Sequence, residues 1–156
     1  MIRFSVSALE KTPVTLRGEL GSEFLALEDD PVFSPVGAVA YELTGKLVSG
    51  GALISGRCGT RLRAACGRCL REFEFPLAAE PELFFELAPG QEELEVADDV
   101  RAELLLELPM NPLCRPDCRG LCPVCGADRN RGECGCSAPP ERSDSPWGAL
   151  DALKLD

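Results

Sequence analysis

Thr60-Arg-Leu-Arg-Ala-Ala-Cys66-Gly-Arg-Cys69-Leu-Arg-Glu-Phe-Glu-Phe-Pro-Leu77 is a pair of alternating runs on either side of a four-residue turn. Thr60, Leu62 and Ala64 share one face, and Arg61 and Arg63 share the other. Phe73, Phe75 and Leu77 alternate in the same way with Glu72 and Glu74. A period of two marks a half-buried strand, and Cys66-Gly-Arg-Cys69 has the length of a tight hairpin connection. The stretch predicts two antiparallel strands that carry a pair of thiols at their turn.

The same period recurs on both sides. Val39, Tyr41, Leu43 and Leu47 face one way and Glu42, Thr44 and Lys46 the other, with Gly45 a candidate bulge. Ser49-Gly-Gly51 predicts a turn into a strand that starts at Ala52–Ser55. At the start of the chain Ile2, Phe4 and Val6 alternate with Arg3, Ser5 and Ser7, and Val14–Leu16 reads as a short strand. Glu28-Asp-Asp-Pro31 with Phe33-Ser-Pro35 predicts a loop, since proline removes donors and aspartate favours turns. Leu83, Phe85 and Leu87 predict one further strand. The period then changes. Val100, Leu104, Leu105 and Leu108 form one helical stripe, with Arg101, Glu103 and Glu107 turned away. Asp98 and Asp99 suit the positive end of the helix dipole, and Pro109 ends the helix.

Six thiols follow in one Pro- and Gly-rich run: Cys114, Cys118, Cys122, Cys125, Cys134 and Cys136. Few residues there are aliphatic, so burial alone does not order the run; a thiolate-bound metal ion, zinc first, is the simplest candidate for ordering it. Cys122-Pro-Val-Cys125-Gly126 has the form of a zinc knuckle. A tetrahedral ion takes four of the six, with Cys122 and Cys125 the firmest pair and either Cys114 and Cys118 or Cys134 and Cys136 completing it. Cys66 and Cys69 are the alternative second pair, which would clamp the tail to the sheet. Six thiolates sharing sulfurs between two ions, disulfides, and a redox-active dithiol are the other readings. Thioredoxin-like chemistry expects its C-x-x-C at a helix N-terminus, not between strands. Cys58 reads as a small apolar filler of a strand.

Composition narrows the function. Histidine is absent, which excludes Ser-His-Asp and Cys-His nucleophile arrangements and His-rich catalytic zinc sites. No phosphate-cradling glycine motif occurs. Nine cysteines cannot all pair within a monomer, the first residues form no signal segment, and no run spans a bilayer. These features predict a reducing, cytoplasmic setting, where cysteine spacing favours metal. A net charge of −10 opposes broad binding to nucleic acid. The charge is segregated, however. Arg57, Arg61, Arg63, Arg68 and Arg71 form a run without an acid, and twelve acids lie from Glu72 to Glu107 against Arg101 alone. The arginines are candidates for RNA contact and the acids for basic proteins; a solvated strand face is the plainer reading of each run.

The expected class is α+β: an antiparallel sheet, curved or barrel-like, with one main helix, a Cys-rich zinc module and a short C-terminal helix. Residues 1–110 form the β-rich body with its helix near 98–108, 111–137 the metal-binding module, and 138–156 a linker and a helix carrying Trp147, Leu150 and Leu153. Four motifs in this order carry a resemblance. They are Cys66-Gly-Arg-Cys69-Leu70 before an aromatic strand, Leu108-Pro-Met-Asn-Pro112-Leu-Cys114, Cys118-Arg-Gly-Leu-Cys122-Pro-Val-Cys125-Gly126, and Trp147-Gly-Ala-Leu150-Asp-Ala-Leu153-Lys154. The chain resembles the YceD family, bacterial and plastid proteins associated with accumulation of large-subunit ribosomal RNA. Ala127-Asp-Arg-Asn130 departs from the Asn-Leu-Asn-like run common there. The resemblance implies a non-enzymatic factor of ribosome biogenesis whose partners are ribosomal RNA, a pre-ribosomal particle or ribosomal proteins. A zinc-ribbon adaptor that binds proteins without touching RNA is the rival, and a thiol redox protein the third reading.

Overall fold

The computed structural model describes residues 1–136 of the 156. The expected linker and terminal helix at 138–156 lie outside the described residues. The sheet is organised on one long strand, β5 (Gly51–Ala65), in which Ala52, Ile54, Cys58, Leu62 and Ala64 are buried and Arg57, Arg61, Arg63 and Ala65 are exposed. The two short runs expected at Ala52–Ser55 and Thr60–Ala64 are therefore one strand. Its continuity depends on Gly56: a Cβ there would collide with the Glu42 carbonyl oxygen, and its φ of +157° is one that L side chains rarely adopt.

Four strands pair with β5, all antiparallel. Along one edge lie β4 (Val39–Val48), opposite residues 51–59, and β3 (Phe33–Pro35), opposite residues 62–64. Along the other lie β6 (Glu72–Ala79), opposite 58–65, and β7 (Glu82–Glu86), opposite 51–55. β2 (Val14–Leu20) pairs with the outer edge of β4. Among the described residues the pairing closes no ring. A separate ribbon joins β1 (Arg3–Ser5) to β8 (Glu93–Glu95). A single turn of helix, α1 (Val6–Leu9), follows β1, and α2 (Ala97–Leu106) follows β8.

The register puts every inward side chain on one face. Leu16, Leu43 and Tyr41 from β2 and β4, Ile54, Cys58, Leu62 and Ala64 from β5, and Phe75 and Leu77 from β6 meet there. Phe4, Ile2, Leu94 and Val96 from the ribbon, Leu9 from α1 and Val100 and Leu104 from α2 cover that face. Ile54, Leu43, Leu62, Val100 and Leu104 are wholly buried, and burying a side chain of this size contributes about 1.5–3 kcal/mol each. α2 ends at Leu106, short of Leu108, because the bonds from the Glu107 and Leu108 amides tighten to Leu104 and Leu105.

Three local expectations are corrected. Val6 lies in α1 instead of extending the first strand, although Ile2 and Phe4 are buried as their alternation predicts. Phe33–Pro35 is a strand, because Asp30 caps the turn before it: its carboxylate accepts the amides of Val32 and Phe33 at 2.8 and 2.7 Å. Gly45 is no bulge. The register runs through it unbroken, and a Cβ would sit 2.9 Å from both Ile54 Cδ1 and Phe4 Cδ1, so the glycine makes room for the ribbon.

Candidate metal centres

Two knuckles of the same build present the thiols. In the first, Cys66-Gly-Arg-Cys69 closes the β5–β6 hairpin: the Cys66 amide donates to the Arg71 carbonyl, and the Leu70 amide to the Cys66 carbonyl, each at 2.9 Å. In the second, Cys122-Pro-Val-Cys125, the Gly126 amide donates to the Cys122 carbonyl at 2.9 Å. Leu70 and Gly126 occupy the same position, with φ of 60° and 74°. Glycine adopts this geometry freely, whereas a leucine there costs about 1–2 kcal/mol.

The structure sorts eight of the nine thiols into two groups of four. Cys66, Cys69, Cys114 and Cys118 form a proximal group, and Cys122, Cys125, Cys134 and Cys136 a distal one; within each, all sulfurs lie within 4.8 Å of one another. Cys66 therefore faces Cys118, and not the Cys122–Cys125 knuckle, at 3.8 Å between sulfurs, and Cys69 faces Cys114 at 3.7 Å. A thiolate–zinc bond of about 2.3 Å makes each edge of a regular tetrahedron about 3.8 Å. A disulfide needs about 2.05 Å. The proximal spacing thus fits a tetrahedral soft cation and not a covalent bridge. Cys66 and Cys69 sit at a strand–strand turn, away from any helix N-terminus among the described residues.

Neighbours hold the proximal group in place. The Gly67 amide donates to the Pro112 carbonyl at 2.8 Å, which seats the segment after α2 against the hairpin. Arg68 donates to the Cys118 carbonyl at 3.0 Å, and Arg71 reaches Cys114 Sγ at 3.5 Å. Asn130 Nδ2 donates to Cys118 Sγ at 3.4 Å. Phe73 packs against both the main core and this cluster, so the centre is continuous with the sheet. Donors to sulfur favour the thiolate and so favour cation binding.

Proton affinities split within each group. Burial pushes the Cys66 thiol up, but the amides of Cys114, Cys69 and Arg68 outweigh it and bring Cys66 down to about 6. The Arg71 amide lowers Cys69, yet burial and three neighbouring sulfurs hold it up at about 12. In the distal group the amides of Cys125 and Val124 bring Cys122 to about 6, while Cys125 and Cys134 hold Cys136 up at about 12. Four sulfurs this close cannot all ionise on their own; a divalent cation among them removes the conflict. Cys58 stands apart in the main core: burial pushes it up to about 11, and it is an apolar filler of β5.

The arginine run is divided. Arg57 pairs with Glu42 at 2.7 Å, and Arg63 and Arg61 pair with Glu74 at 3.1 and 3.7 Å across the outer sheet face. Arg68 and Arg71 serve the proximal thiols instead. Sequence reasoning missed Asn130 and these two arginines as supports of the centre. It also missed the division into two fours, for which the pairing of eight cysteines into four close doublets was the available signal.

A family model described as large ribosomal RNA subunit accumulation protein YceD matches residues 54–154. The chain belongs to the YceD family. The matched span starts within β5 and takes in both thiol groups. Uncharacterized proteins of Mycobacterium tuberculosis and Mycobacterium bovis are 30% identical over 122 residues, covering 69% of this chain and 56% of theirs. The Arabidopsis thaliana protein named large ribosomal RNA subunit accumulation protein YCED homolog 1, chloroplastic, is 30% identical over 66 residues, 42% of this chain and 20% of its own. The chain spans about half the length of the mycobacterial relatives it matches. No solved structure matches it significantly. Among the described residues, no helix is long and apolar enough to cross a membrane.

Proposed function

We propose that this member of the YceD family is a non-enzymatic, zinc-stapled factor that supports accumulation of large-subunit ribosomal RNA in the cytoplasm, acting by binding. The observation that carries the reading is the family match across residues 54–154, which contain both four-thiol groups. The metal's part is structural: four protein sulfurs around each centre leave no position for a reacting water or substrate. Zinc at the proximal group ties Cys114 and Cys118 to the β5–β6 turn and fixes the cysteine segment as a surface against the sheet.

Contact through a protein partner is the second reading, and the outer sheet face favours it. Arg57 shares Glu42 with Arg17, and Arg61 and Arg63 share Glu74, so these pairs halve the positive charge that phosphates would meet. Glu72, Glu80, Glu82 and Glu86 lie exposed on β6, β7 and their connection, with no lysine or arginine within 4.0 Å among the described residues. Such an edge suits a basic ribosomal protein.

Depletion of the protein in cells tests the main reading. Large-subunit ribosomal RNA should fall relative to small-subunit RNA, and should be restored by the wild-type chain but not by Cys66→Ser/Cys69→Ser. An unchanged ratio overturns it. Ribonuclease treatment before co-purification separates the two contacts. Loss of ribosomal proteins identifies an RNA bridge, and their retention a direct protein contact.

A further inference from the structure

The two four-thiol groups are built alike and sheltered differently. Cys66, Cys69 and Cys118 are buried and Cys114 is half-buried, whereas Cys122 alone is buried in the distal group and Cys125, Cys134 and Cys136 are exposed. Phe73, Leu113 and Leu121 pack around the proximal sulfurs. The proximal ligands come from two separated parts of the chain. The distal ones come from a single short stretch that ends in Cys134-Gly-Cys136.

We propose that the two centres are unequal: the proximal thiols hold a fixed soft divalent cation, and the distal thiols hold an exchangeable one whose site forms only on the filled proximal centre. The inference rests on the reading that both groups bind metal. Exchange at a closed four-thiolate ion needs an incoming thiol or chelator to reach a sulfur or the ion as one bond opens. The packed side chains restrict that approach at the proximal centre to half-buried Cys114, and three exposed sulfurs permit it at the distal one.

The dependence of one site on the other is built into the bonds between them. The Leu121 amide donates to the Arg68 carbonyl at 3.0 Å, which positions the second knuckle on the first. Within the distal span, the Arg129 amide donates to the Gly120 carbonyl at 2.9 Å. Asn130 completes the link. Its Oδ1 accepts from the Arg119 amide at 2.9 Å and from Arg115 at 2.7 Å, while its Nδ2 donates to Cys118 Sγ at 3.4 Å. Asp128 holds that side chain by accepting from its amide nitrogen and from its Nδ2, at 2.9 and 2.7 Å. The loop between Cys125 and Cys134 is thereby anchored to the proximal segment. Asn130 is a positioning residue for a sulfur of the other centre.

The test uses the full chain loaded with zinc and challenged with an excess of a colorimetric zinc chelator. Two equivalents should leave in two phases of equal amplitude, the first on the order of tenfold faster or more. Cys134→Ser/Cys136→Ser should lose the fast phase alone, and Asn130→Ala should speed the slow phase by about tenfold without changing its amplitude. Thiol footprinting of the wild-type chain with N-ethylmaleimide needs no variant: Cys125, Cys134 and Cys136 should be modified before Cys66, Cys69, Cys114 and Cys118. Release of both equivalents in one phase, or uniform modification of the eight thiols, overturns the inequality while leaving two metal sites intact. A chain purified under reducing conditions that carries no stoichiometric metal overturns the metal reading itself.

Discussion

Removing Cys66 and Cys69 together should cost the protein about 4 kcal/mol of stability. With a metal ion bound the proximal centre becomes a cross-link: Cys66 meets Cys118 across 52 residues of chain and Cys69 meets Cys114 across 45. Restraining a loop of 52 residues removes about 14 cal/mol/K from the unfolded chain, which is about 4 kcal/mol at room temperature. That is a large share of the roughly 5–15 kcal/mol that holds a domain folded. For a chain of this size it corresponds to a melting shift of about 8–16 °C. The assay is thermal unfolding of wild type and Cys66→Ser/Cys69→Ser, both with excess zinc and reductant, followed by circular dichroism. Cys134→Ser/Cys136→Ser is the contrast: its loop closes within the distal segment and encloses none of the main core, so the main transition should stay near wild type. A proximal variant that melts within about 2 °C of wild type refutes the cross-link.

Three further outcomes are expected from the same structure. Gly56→Ala should destabilise by about 1–3 kcal/mol in urea unfolding, because its methyl meets the Glu42 carbonyl oxygen in the middle of the longest strand. Leu62→Ala should cost about 2–5 kcal/mol in the same assay, since Leu62 is 0% exposed where β3 and β6 flank β5. Metal affinity should rise with pH. Cys69 and Cys136, held up at about 12, keep their protons at neutral pH and must release them to bind, whereas Cys66 and Cys122, near 6, are already ionised. Competition with a chelator of known pH dependence should show affinity rising by at least about tenfold per pH unit at each centre between about pH 7 and 8, and a flat profile contradicts it.

The sheet was legible in the sequence because alternation is a local property. Phe73, Phe75 and Leu77 point inward in the structure as their spacing requires, as do Leu62 and Ala64 opposite them. The errors fall where tertiary contact decides. Gly56 alone does not reveal that one strand continues through it; the approach of the Glu42 backbone does. Phe33 carries no alternating partner at its own end of the chain, and its pairing with Ala64 lies 31 residues away.

Thiol partners are illegible for the same reason. A C-x-x-C doublet states that two sulfurs can share an ion, and nothing in its spacing says which other doublet completes the tetrahedron. Cys122 is close in sequence to Cys118, yet the two serve different centres, because the bond from the Leu121 amide to Arg68 turns the chain between them. That bond sets Cys118 against the sheet-borne thiols and leaves Cys122 to begin a second, outward-facing centre. A change that loosens Leu121 from Arg68 should therefore disturb the distal ion through the backbone while leaving all eight sulfurs in the chain.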